Sequence, residues 1–227
     1  MKEVDGVLVA AQELRRPLLE LRQLALGFDG NGGSDEKIRA EMLAVSERAM
    51  RQVNDLAKFR DLKEGNFEMG PVAVRMLCDD VILELSKTIS RQKYDLKVKY
   101  SNRSRLVNAN AELLKSVVYN FLLDATYYTD EDMKTELSIC ESKGKVAIKV
   151  RDFGPALPFD MWQEIKGDLL QPRNIVMRPG SSALGLYIAS KFSKYMHAEV
   201  GAIRHRDGAS FFVKLPVSKQ MAIWGIN

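Results

Sequence analysis

The stretch QELRRPLLELRQLA, from Gln12 to Ala25, decides how the chain is read. Its apolar residues Leu14, Leu18, Leu21 and Ala25 recur in steps of three and four, and the same steps run back to Val4, Val7 and Ala11 and forward to Phe28. That period predicts a helix buried along one narrow seam. FDGNGGS, Phe28 to Ser34, ends it, because glycine and asparagine tolerate positive φ. Ser34 or Asp35 is placed to cap a second helix, whose seam holds Ile38, Met42, Val45, Ala49, Val53, Leu56 and Phe59 and which ends near Glu64 and Gly65. Two seamed helices with a short turn make an antiparallel hairpin. A lone hairpin cannot bury its stripe, so it packs either on the rest of its own chain or on a second copy. The narrow stripe favours a dimeric four-helix bundle with Leu14, Leu18, Leu21, Val45, Val53 and Leu56 in its core. Pro17 lies inside the first helix, at a cost of about 3 kcal/mol relative to alanine. One turn upstream, off the seam and facing solvent, is Gln12.

The bulk numbers exclude several classes. With 227 residues and 46% hydrophobic composition, the chain can fill one or two packed domains. Its apolar runs are too short and interrupted to span a membrane, and the N-terminus lacks a secretory pattern. Cys78 and Cys140 stand far apart without metal spacing, so neither a disulfide nor a zinc site is expected. The net charge of +4 sits beyond residue 64, too weak a bias for nucleic acid, and Arg204-His205-Arg206 reads as a solvated strand end.

After Pro71 the pattern changes. VAVRMLCDDVILELSKTIS, ELLKSVVYNFLLDATYY and ALGLYIASKFSKYM read as helices. LKVKY, TELSICE, KVAIKVRD, AEVGAIRH and SFFVKLP read as strands, with turns at Ser142-Lys143-Gly144 and Arg206-Asp207-Gly208. The expected fold is α+β: the hairpin, then a two-layer sandwich with helices on one face of a mixed sheet.

Over nearly its whole length the chain resembles the core of a sensor histidine kinase. QELRRPL is similar to the phosphoacceptor box, NFLLDATYYT to the N box, RDFGPALP to the first glycine box and GSSALGLYIA to the second. Each is weak alone; their order and spacing are specific. The resemblance implies a dimerisation hairpin over 1–66 and, over 67–227, an ATP-binding domain of the type shared with gyrase and the Hsp90 chaperone. It also implies roles. Gln12 stands at the phosphoacceptor position and Glu13 at the adjoining acid/base. Asn120, Asp124, Asp152, Gly154, Gly185 and Leu186 line the nucleotide site, with Asn120 and Asp124 toward magnesium and Asp152 toward the adenine amino group.

The sequence also departs from that pattern. An amide has no nucleophilic nitrogen comparable to imidazole, so Gln12 cannot accept a phosphoryl group as histidine does. His197 and His205 lie far along the chain, as surface or structural residues. Arg16, Asp124, Tyr127, Ala156 and Ala183 also replace typical residues; the two alanines add a Cβ where backbone would approach phosphate. The segment from Phe159 to Gly180 resembles a short lid. These changes point to a cytoplasmic two-component signalling protein, whole or part of a longer chain, that does not autophosphorylate and binds Mg-ATP weakly or not at all. Its expected partners are a second copy and a receiver domain or another kinase, met by Arg15, Arg16, Leu19 and Arg22 on the first helix. Two other readings stay open: an ATP-binding enzyme of the same fold with residual ATPase or kinase activity, and an adaptor that binds no nucleotide.

Overall fold

Two long helices come first in the computed structural model, which describes residues 2–28, 33–88, 95–100, 105–129, 133–165 and 183–219. α1 (Lys2–Leu26) and α2 (Gly33–Glu64) lie side by side as a hairpin, with Arg48 of α2 paired to Glu20 of α1 at 3.3 Å. α1 continues through Pro17 without a break. α2 starts at Gly33, so Ser34 and Asp35 sit in its first turn and not at a cap, and the helix begins two residues earlier than a cap at Ser34 predicts. Val45 is buried between the helices, and Leu14 and Leu21 are half-buried. Leu18, Leu43, Met50 and Val53 stay exposed at 63%, 62%, 58% and 44%, so the hairpin leaves much of its apolar surface uncovered. Leu56 departs from the expected hairpin core. With Phe59 and Leu62 it packs on the C-terminal core, because the last turns of α2 run past the hairpin and over the following domain.

β1 (Gly70–Ala73) pairs antiparallel with β3 (Leu106–Ala109), setting Val72 opposite Val107. The apolar period predicts helix from Val72 onward; here Val72 and Ala73 are strand, and α3 (Val74–Thr88) begins after them. A partner strand distant in sequence has overridden the local pattern.

The main sheet has five strands in the order β2 (Leu96–Tyr100), β4 (Thr135–Ser142), β5 (Lys145–Arg151), β7 (Gly208–Pro216) and β6 (Glu199–His205). β2 runs parallel to β4 and the other pairs are antiparallel, the mixed sheet expected. Alternation puts Ile139, Ile148, Val213 and Val200 in one buried row against α4 (Ala111–Tyr128) and α6 (Ala183–Tyr195). Phe121 of α4 stacks on Phe211 of β7, with ring centres 5.8 Å apart. Asn110 caps α4, its Oδ1 accepting from the Leu113 amide at 3.0 Å. The turn at Lys143 and Gly144 carries positive φ on both residues, as its sequence suggests.

α5 (Phe159–Ile165) was not expected; the first residues of the segment read as a lid form a helix against β6, where the Trp162 indole donates to the Ala202 carbonyl. The remainder of that segment lies outside the described residues. Arg204, read as a solvated strand end, donates through Nε to the Leu157 carbonyl at 2.7 Å. Among the described residues, no helix is long and apolar enough to cross a membrane.

Candidate nucleotide site and hairpin face

Asp152 follows directly on β5 and is 1% exposed. Its backbone amide donates to the Ala209 carbonyl at 3.0 Å, and its Oδ1 accepts from the Ala209 amide at 3.1 Å and the Gly154 amide at 3.4 Å. A buried carboxylate held by backbone donors is fixed in direction. One glycine makes room for it, and a second lets the chain after it pass close to α4. Gly208 has φ +124, and a Cβ there would come within 2.3 Å of the Asp152 carbonyl oxygen and 2.6 Å of Oδ1. At Gly154, a Cβ would meet the Tyr128 carbonyl at 2.1 Å. Thr129 closes this corner: its hydroxyl donates to the Ala125 carbonyl at 2.8 Å, and the Phe153 amide donates to it at 3.3 Å.

Asn120 lies on α4 at 7% exposure. Its Nδ2 donates to the Ser116 carbonyl at 2.9 Å and reaches Ser116 Oγ at 3.5 Å. Its Oδ1 is turned to α6, where a Cβ on Gly185 would come within 2.9 Å of it. The structure thus brings the N-box-like helix and the second glycine-box-like helix into contact at Asn120 and Gly185. Asp124, one turn further, is half-buried and Tyr127 is 56% exposed. Leu186 is 4% exposed and belongs to the hydrophobic core. Ala156 is half-buried; the side chain of Ala183 lies outside the described part. Asn120 and Asp124 suit a magnesium ion that keeps waters and phosphate oxygens as its other ligands. The described residues hold no group of three His, Cys, Asp or Glu placed to bind a metal by themselves.

The hairpin meets this domain where both α1 and α2 touch α6 and α2 also touches α3, and the side-chain contacts of α2 are specific. Phe59 packs edge-on against Tyr187 and Phe192 of α6, with ring centres 5.7 and 5.6 Å apart. Lys58 bridges Asp55 at 3.1 Å and Glu112 at 2.9 Å. Asp55 is 3% exposed and accepts a hydrogen bond from the Ser116 hydroxyl. The Arg51 guanidinium lies 3.6 Å over the Tyr119 ring and pairs with Glu84 of α3. Burial lowers its pKa, against the favourable fields of Tyr119 and Asp55.

Of the α1 candidates, Arg15, Arg16, Leu19 and Arg22 are exposed. They fall at helical spacing along one side of α1, within three turns after position 12. The side chains of Gln12 and Glu13 lie outside the described part. His197 lies in the turn after α6 with φ +53, and His205 bonds Ser210 at 2.8 Å. Burial first, then the charge of Arg151, holds the His205 pKa below its ordinary value. Sequence reading missed Gly208, Ser116 and Asp55. Gly208 was legible only as a hairpin turn, since its contact with Asp152 depends on the pairing of β5 with β7.

Residues 109–219 match the family of histidine kinase-, DNA gyrase B- and HSP90-like ATPases. The chain is 24% identical over 230 residues to hybrid signal transduction histidine kinase K of Dictyostelium discoideum, covering 92% of this chain and 19% of that protein. It therefore spans about a fifth of that relative's length. Its fold resembles that of histidine kinase ThkA in complex with the response regulator protein TrrA (TM-score 0.63, 17% identity, 92% of this chain and 60% of that one). It also resembles full-length ShkA in complex with AMPPNP (TM-score 0.61, 22% identity, 97% and 44%). Domain match and fold agree on one architecture, a helical hairpin followed by an ATPase domain of the histidine kinase, DNA gyrase B and HSP90 type, the arrangement of the histidine kinases it resembles.

Proposed function

We propose that the chain is a two-component signalling protein that does not autophosphorylate and acts by binding a receiver domain. The observation that carries this is the α1 surface around Gln12. The position that would accept phosphate is an amide, while Arg15, Arg16, Leu19 and Arg22 beside it are exposed. A receiver's phosphorylation site is a cluster of carboxylates, and arginines around one apolar contact suit it. The complex of ThkA with TrrA supports this choice of partner over another kinase.

Incubation with γ-labelled ATP should leave the chain unlabelled, and an acid-labile phosphate on it would sink the proposal. Titration with purified receiver domains from the same organism should find one that binds without exchanging phosphate. Charge reversal at Arg16 and Arg22 should weaken that complex and leave the chain's own association intact. If both reversals leave the affinity unchanged, the docking face lies elsewhere.

A second reading concerns nucleotide. Asp152, buried and held by two amides, favours residual binding of Mg-ATP at the described site, and the AMPPNP complex of ShkA is consistent with it. Weak binding is expected, since Asp124, Ala156 and Ala183 alter the phosphate end. Binding to the native state alone must raise the apparent melting temperature with Mg-ATP. No shift at millimolar nucleotide would leave the domain as a protein surface only.

A further inference from the structure

α4 and α6 cover one face of the main sheet. The other face holds a cavity of about 560 Å³, within the range of small-molecule sites. It crosses the strands from Lys99 on β2, over Ser138 on β4 and Lys149 and Arg151 on β5, to His205 on β6. Register puts Lys99 beside Ser138 and Ser138 beside Lys149, and alternation turns all three away from the buried row under the helices. Ser138 is short and 9% exposed, so the hollow lies over it between longer side chains.

The charges around this hollow do not cancel. Lys97 and Lys99 share Glu136, Arg105 holds Glu141, and Arg151 holds Asp207. Lys149 makes no ion pair among the described residues. Five cations thus stand against three carboxylates, an excess of two positive charges with His205 neutral. His205 registers that field. Burial first, then the charges of Arg151 and Lys149, hold its pKa down against the carboxylates of Asp207 and Asp152. A phosphoryl group carries a charge of about −1.5 to −2 at pH 7 and three acceptor oxygens, which matches the excess. Lysine binds such a group as a point charge and needs no fixed geometry to do so.

We propose that this hollow binds the phosphoryl group of a small molecule, with Lys149 as its principal cation, on the face of the sheet opposite the candidate nucleotide site. Inorganic phosphate and an organic phosphate ester offer the same chemistry, and the volume of the cavity admits either. The competing account is a solvated strand face whose lysines only keep the sheet from pairing with others.

The test follows the ring signals of the two histidines in the full chain by NMR, without magnesium, as pyrophosphate is added. The His205 signal is identified by its loss in His205→Gln, and sodium chloride at equal ionic strength is the blank. Pyrophosphate should move the His205 signal saturably and leave that of His197 in place. It should also raise the His205 pKa, because a bound anion favours the imidazolium. By linkage, its affinity should then increase as pH falls through that pKa.

Lys149→Ala should weaken binding by about tenfold, the size of one lost charge-assisted hydrogen bond. Lys214→Ala removes a lysine that pairs with Glu199 outside the cavity, and should leave the affinity unchanged. Inorganic phosphate and ribose 5-phosphate, titrated in turn, separate the two sources: tighter binding of the ester assigns the hollow to an organic phosphate. A His205 response no larger than chloride gives would overturn the proposal. So would equal affinities of wild type and Lys149→Ala, the pattern expected if pyrophosphate binds at the candidate nucleotide site instead.

Discussion

At Asp152 and Gly208 the chain has placed a carboxylate and a missing side chain in contact. Gly208→Ala would put a methyl group within 2.3 Å of the Asp152 carbonyl oxygen, at a φ of +124 that L residues rarely adopt. It should destabilise by about 1–3 kcal/mol, read as a lower denaturation midpoint, and should remove any thermal shift with Mg-ATP. Asp152→Ala should remove that shift too. Retention of the full shift in Asp152→Ala would show that nucleotide binds by other groups. The cysteines give an independent check on burial. Cys78 is fully buried, and burial pushes its thiol up to about 12, whereas Cys140 is exposed. Since the thiolate is the reactive form, a thiol reagent at pH 8 should modify one cysteine in the native protein and two after unfolding. Rapid native modification of both would contradict the packing of α3.

At the scale of elements, periodicity carried the reading a long way. Both hairpin helices, α4, α6 and the five strands of the main sheet are legible because each has an apolar face of helical or alternating period. What was illegible depends on partners distant in sequence. β1 and β3 are four residues each, too short for a pattern, and exist because they pair. α5 has seven residues at the start of the stretch that reads as a short lid. In the candidate site, Asp152, Gly154 and Gly185 were singled out by their boxes, whereas Ser116 looked like one more polar residue on a helix. Its meaning appears only when Asp55 lies opposite. The exposed face of α2, with Leu43, Met50 and Val53, together with Leu18 of α1, calls for cover. We expect a homodimer through this surface. Leu18→Glu with Val53→Glu should yield monomers by light scattering while leaving the Cys78 protection of the α/β domain unchanged. A wild-type protein that is monomeric at tens of micromolar would end this expectation.

At the scale of the molecule, one helix serves two masters. α2 is a single uninterrupted rod of 32 residues, about 48 Å long at the usual rise. By helical spacing, Leu43, Met50 and Val53 share one side of it, and Arg51, Asp55, Lys58, Phe59 and Leu62 another. The angular phase between those sides is thus a property of residue count alone. One alanine inserted between Met50 and Arg51 advances the downstream side by about 100° relative to the upstream one. Either the hairpin or the α/β domain must then lose its seat, so Phe59 and Asp55 should turn off α6 and α4 and proteolysis near Gly65 should quicken. Seven inserted residues, nearly two whole turns, return the phase to within about 20° and should restore protection, although the rod is longer. A protein indifferent to which of these insertions it carries would have two halves tethered by α2. One that answers to the modulus of the insertion, and not to its length, has them geared.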